Sequence, residues 1–205
     1  DRQTYSVNLK EGANEIRVLA RDVYQYAIVK TWTVYCKTGK GEITISLEGG
    51  TVGIPYFIRP QKIEVAGGEN LAQVVERFLT QNGYSYRHAG SIKEGFYLSA
   101  VKKKGILSGF SIPKDLIEKI EEDNFIFDAE GYAGEDELGE FDFSQGSGWM
   151  YSINGIYSSY GLSKAHAQDG DIVRIRFTLA YGKDIGGYKA MGETYGQTKD
   201  YGKEW

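Results

Sequence analysis

Apolar and polar positions alternate with period two through the first part of the chain. Val7 and Leu9 alternate with Ser6 and Asn8, Ile16 and Val18 with Glu15 and Arg17, and a third run over 27–35 centres on Trp32 and Val34. Gly12-Ala13-Asn14 and Arg21-Asp22 interrupt the runs, so the pattern predicts three strands joined by turns. Three strands are too few to close a sandwich; residues 1–37 read as the C-terminal strands of an Ig-like domain. The polar, glycine-containing stretch Lys37-Thr38-Gly39-Lys40-Gly41 then marks a domain boundary.

Beyond it, Ile43, Ile45 and Leu47 alternate with Thr44 and Ser46, Gly49-Gly50 turns the chain, and a second strand runs through Ile58 and Ile63 to Val65. Pro55 and Pro60 place that strand at a sheet edge or a bulge, since proline donates no ladder hydrogen bond. A helix follows over 70–81. Asn70 and Gln73 have capping-box spacing, Leu71, Val74, Val75, Phe78 and Leu79 form an apolar stripe, and Gly83 suits the left-handed stop. Phe96, Leu98 and Ala100 alternate as a strand, and Pro113 suits the first turn of a short helix carrying Leu116, Ile117 and Ile120 on one face. In the last strand Val173, Ile175, Phe177 and Leu179 point one way and Arg174, Arg176 and Thr178 the other. Strand, strand, helix, strands is an α+β order. It predicts a β-grasp-like mixed sheet with one main helix over 38–186, preceded by the all-β partial sandwich. Residues 187–205, rich in Gly, Tyr and Lys, read as a tail or linker.

Composition narrows the function. The 205 residues carry a formal net charge of −4, which gives no support to nucleic-acid binding; Lys102-Lys103-Lys104 reads as a solvated or edge-strand run. No apolar run approaches the ~18 residues of a membrane span. The chain opens on Asp1, which reads as the start of an excised segment of a longer protein. A single cysteine, Cys36, excludes an intramolecular disulfide and a cysteine-rich zinc site. His88 and His166 lack metal-ligand or catalytic spacing, and no catalytic triad or phosphate loop accompanies them, so the reading is a non-catalytic one with no metal and no required cofactor.

The densest chemistry is Gly148-Trp149-Met150-Tyr151-Ser152-Ile153-Asn154-Gly155, followed by Tyr157 and Tyr160. Trp149 and Tyr151 share one strand face. They either pack on the helix or meet a ligand. Tyr157 and Tyr160 fall in the connection, where tyrosine offers large contact area at low entropic cost. Trp149, Tyr151, Asn154, Tyr157 and Tyr160 form the candidate ligand-binding set. The acidic stretch Asp128, Glu130, Glu135, Asp136, Glu137, Glu140 and Asp142 is read as a solvated loop, with calcium binding or paired glycosidase carboxylates as its alternatives.

Residues 41–186 resemble the transcobalamin-like C-terminal domain family of Firmicutes surface proteins. The resemblance rests on Gly68-Glu69-Asn70-Leu71-Ala72-Gln73-Val74-Val75, Gly95-Phe96-Tyr97-Leu98-Ser99, the 148–155 motif, Gln168-Asp169-Gly170-Asp171-Ile172-Val173 and Tyr181-Gly182-Lys183-Asp184-Ile185-Gly186. The preceding Val7-Asn8-Leu9-Lys10-Glu11-Gly12-Ala13-Asn14-Glu15-Ile16 with Ala20-Arg21-Asp22 resembles the end of bacterial Ig-like or cadherin-like repeats. The resemblance implies a secreted or wall-anchored binding module of a Gram-positive bacterium, flanked by other domains of its parent chain. Cobalamin or another corrinoid is the first ligand it suggests and a glycan the second; an adhesive spacer without a small ligand is the competing reading.

Overall fold

The computed structural model describes residues 4, 5, 7, 9, 12–36, 39–191 and 200–205. The chain divides into two units, 1–40 with 66–68 and 41–65 with 69–205. The described part of the first unit is a hairpin of β1 (Gly12–Arg21) and β2 (Ala27–Cys36), paired without a slip from Gly12↔Cys36 to Arg21↔Ala27. Its turn is held by Asp22, whose Oδ1 accepts from the Tyr24 and Tyr26 amides at 2.9 Å each. Val7 and Leu9 lie outside any strand, and Gly12-Ala13-Asn14, expected as a turn, sits inside β1. The expected first strand is therefore not seen among the described residues. Of the expected linker, Lys37 and Thr38 lie outside the described residues, as does the Cys36 side chain.

The second unit is mixed α/β. Its strands are β3 (Gly41–Gly49), β4 (Ile54–Val65), β5 (Ser85–Ser91), β6 (Glu94–Lys102), β7 (Glu137–Gly139), β8 (Gly148–Ile153), β9 (Ile156–Tyr157) and β10 (Ile172–Thr178). Its helices are α1 (Leu71–Gln81) and α2 (Lys114–Glu122). One sheet has the order β4-β3-β10-β8-β9, with β10 parallel to β3 and antiparallel to β8; the other has the order β5-β6-β7. β4, with Pro55 and Pro60, is an edge strand, where the missing N–H groups cost no ladder bond.

Register explains the two faces of the larger sheet. Val173 lies beside Ile45, Ile175 beside Leu47 and Tyr151, and Phe177 beside Trp149, so these side chains share one face. They join a core cluster with Leu71, Val74, Val75, Phe78 and Leu79 of α1. The capping box forms as the sequence predicts: Gln73 N donates to Asn70 Oδ1 at 3.0 Å and Asn70 N to Gln73 Oε1 at 3.1 Å. Pro113 stands one place before α2, at its N-cap, and Leu116 and Ile120 are fully buried beneath it.

The opposite face of the sheet is polar yet buried. Glu48 takes Arg174 bidentately, with bonds of 3.0 Å from Nε and 2.6 Å from Nη2, and accepts from Ser46 Oγ at 2.6 Å. Arg176 donates to Glu204 at 2.6 Å, the Trp205 carbonyl at 2.7 Å, the Ile185 carbonyl at 2.9 Å and the Tyr157 hydroxyl at 3.0 Å. Residues 200–205, expected as part of a tail or linker, thus pack on this face; a side chain at Gly50 would meet the Trp205 carbonyl carbon at 2.5 Å. Residues 192–199 of that stretch lie outside the described residues.

Candidate functional site

The five residues singled out by sequence do not form one patch. Trp149 and Tyr151 are 7% and 8% exposed and belong to the core face of β8. The Trp149 indole N–H donates to the Leu138 carbonyl at 3.0 Å, and its ring meets Phe177 edge-on at 5.1 Å and Phe57 at 6.1 Å. This bond comes from β7, a strand inside the acidic stretch that alternation did not reveal. The Tyr151 hydroxyl donates to the Tyr160 carbonyl at 2.6 Å, and burial pushes the phenol above its ordinary pKa.

Asn154 is a turn residue with a structural task. Its φ of 51° is left-handed, its Nδ2 donates to Asp171 at 2.8 Å, and its Oδ1 accepts from the Ile172 amide at 2.9 Å. The two turn signals, Asn154-Gly155 and Asp169-Gly170-Asp171, are clasped to each other. Tyr157 pairs with Ser152, which puts it on the polar face, opposite Trp149 and Tyr151, where its hydroxyl accepts from Arg176. Burial raises the Tyr157 pKa while the Arg176 charge opposes that rise. Tyr160 remains 60% exposed on the segment 158–160.

What does gather is a cleft of about 190 Å³ between β6 and β8. Phe96 and Leu98 line it from β6, Trp149 and Tyr151 from β8, and Tyr160 and Leu162 from the connection, with Ile175 and Met191 also against it. Neither strand is fully laddered here. Among the described residues, β6 pairs beyond β5 with β7 only at 100–102, and β8 pairs beyond β10 with β9 only at Ser152 and Ile153. The chain leaves that ladder after Tyr157, and 158–160 swings out to wall the cleft. The other side of the same segment borders an open groove with Asn154, Ile156, Lys164 and His166. Tyr97, at the cleft's edge, has its phenol pushed up to about 12 by burial and by its hydrogen bond to Glu140.

Sequence gave no sign of this cleft, because β6 and β8 are some fifty residues apart and no local pattern says they end up side by side without pairing. Only its aromatic walls on β8 and Tyr160 could be picked out in advance.

The acidic stretch is used locally. Asp142 Oδ1 and Oδ2 accept from the Ala133 and Gly139 amides at 2.9 and 2.6 Å, Asp136 from Gly105 at 2.7 Å, and Asp128 from Glu130 at 2.9 Å. Glu137 forms ion pairs with Arg87 and Lys102 at 2.6 Å each, and the Lys102 and Arg87 bonds hold its pKa below the usual range against its partial burial. Among the described residues no group of three or more His, Cys, Asp or Glu side chains comes together in a way that could hold a metal ion. Among them also, no helix is long and apolar enough to cross a membrane. No protein-family model matches the chain, and no curated protein does.

Proposed function

We propose that the second unit is a non-catalytic binding module whose ligand presents a single ring to the cleft between β6 and β8. The observation that carries this reading is the cleft itself: aromatic walls from three separate segments, and two strand edges left partly without ladder partners among the described residues. A cavity of ~150 Å³ with apolar walls admits benzene. The cleft, at about 190 Å³, has room for one ring of that order or slightly larger. A corrin macrocycle is too large to enter and would rest across the mouth with one peripheral ring inserted; a hexose is of suitable size.

In this proposal the unit is a β-grasp. The hairpin β3–β4, the helix α1 and the parallel return of β10 beside β3 support that reading. Its setting on the surface of a Gram-positive bacterium, carried on Ig-like spacers and offering its site to a corrinoid or a glycan, follows from the family resemblance alone. The competing class is an adhesive spacer, in which the cleft stays without a small ligand.

Titration with cobalamin and cobinamide, followed by absorbance and calorimetry, and with indole as a bare ring probe separates the two. Saturable binding of at least one probe that weakens in Tyr160→Ala supports the module. Binding of none of the three supports the spacer.

A further inference from the structure

We infer that the ligand is an extended peptide that lays its backbone along the free flank of β8 and drops one aromatic side chain into the cleft; this rests on the ring-binding reading above. Three observations carry it. First, β9 covers the flank of β8 at Ser152 and Ile153 only, and 158–160 then leaves the sheet, so 149–151 keep a strand edge with no ladder partner among the described residues. Main-chain amides at such an edge recognise another extended main chain, the mode in which a peptide adds a strand to a sheet.

Second, side chains of a strand alternate between faces, so a peptide paired with 149–151 directs alternate side chains to the face that carries Trp149 and Tyr151. That face is where the cleft lies. Third, no described residue lining the cleft is charged, and none is Asn or Gln. A buried sugar ring needs partners for its hydroxyls, because an unmade hydrogen bond to a buried polar group costs about 1–3 kcal/mol. Phe96, Leu98, Leu162 and Ile175 offer none from their side chains, and the hydroxyls of Ser158, Ser159 and the tyrosines are the only side-chain oxygens among the described lining residues, fewer than a sugar ring's hydroxyls call for; an indole or phenol ring matches the apolar walls. The open groove on the far side of 158–160 leaves space for the peptide to continue past Tyr160.

The test uses the full chain, ¹⁵N-labelled, and reads the Trp149 indole N–H resonance, assigned with Trp149→Phe. The probes are indole, the capped peptide acetyl-Thr-Val-Trp-Val-Thr-amide, and two copies of that peptide N-methylated at one or the other set of alternate amides. A strand paired along a single edge uses the N–H groups of alternate residues only. The expected result is peptide binding at least tenfold tighter than indole, lost at least tenfold by one methylation pattern and kept by the other, with Tyr160→Ala weakening peptide and indole alike. If indole shifts the Trp149 resonance but the peptide binds no tighter, or if both methylated copies bind like the parent or lose affinity equally, the peptide inference is overturned and the ring-binding reading stands. If no probe shifts the resonance, both fall.

Discussion

The Tyr151 hydroxyl and the Tyr160 main-chain carbonyl, 2.6 Å apart, join the sheet to the segment that walls the cleft. The bond does two things. It satisfies a phenol that is 8% exposed, and it pins 158–160 where the chain has just given up its β ladder. A side chain that looks like core packing therefore also positions the cleft's outer wall.

Tyr151→Phe should cost about 1 kcal/mol of stability, the usual net worth of such a bond, while leaving the ring in place. Its more telling effect is local: amides of Gly161 and Leu162 should exchange with solvent faster, and ring probes should bind more weakly. Urea unfolding gives the first and hydrogen exchange the second. Unchanged exchange in a destabilised variant would mean that the bond serves the core alone.

Glu48 lies under Arg174 and Arg176 on the buried polar face. Burial pulls its pKa up, but the bonds from Arg174 and Ser46 and the two arginine charges outweigh that, and the net direction is down. A carboxylate with a depressed folded pKa adds stability above its unfolded pKa and loses it as pH falls through the folded value. Glu48→Gln leaves buried guanidinium charge short of a partner and should cost roughly 3 kcal/mol near neutral pH. The gap to the parent should narrow as the pH is lowered below the ordinary carboxylate value of 4.5 and through the depressed folded one, read from urea midpoints.

Asp184 carries the opposite sign. It is fully buried, accepting from the Leu179 amide at 2.6 Å and from Thr178 Oγ1, yet burial outweighs these bonds and lifts its pKa to about 6. Between its ordinary value of 3.8 and about 6 the folded state holds the proton and the unfolded state does not, so this group's contribution falls as pH rises through that window. Relative to Asp184→Asn, the parent should lose roughly 3 kcal/mol between pH 3.5 and 7, from 1.36 kcal/mol per unit. A pH-independent difference would contradict the assignment.

Hydrolysis of chromogenic glycosides and of peptidoglycan should be absent. Glu137 is taken up by Arg87 and Lys102, and Asp142 by two main-chain amides, which leaves neither carboxylate placed as a free acid or base. Reproducible turnover abolished by Glu135→Gln or Glu137→Gln would contradict a purely binding role.

Local chemistry made much of this molecule readable. The Asn70 and Gln73 cap, the stripe of α1, the prolines of β4 and the two faces of β10 all stand where spacing put them, since each depends on residues a few positions apart. Tyr157 was misplaced for a non-local reason: its two-residue strand turns it toward Arg176, and its ring lies against Gly187, thirty residues on. β7 was hidden because three residues among carboxylates show no period, and its strand character comes from pairing with Ala100, Val101 and Lys102. The expected strand at Val7 and Leu9 is not seen among the described residues.

The most direct test of a ring-binding cleft is the Trp149 indole N–H resonance, followed while indole is titrated into the ¹⁵N-labelled chain. The proposal predicts a saturable shift of that resonance, with Trp32 and Trp205 unmoved and with affinity reduced about tenfold in Tyr160→Ala, the scale of one lost contact worth about 1.4 kcal/mol. A Trp149 resonance that stays in place at millimolar indole, or a shift equal across all three tryptophans, would contradict it.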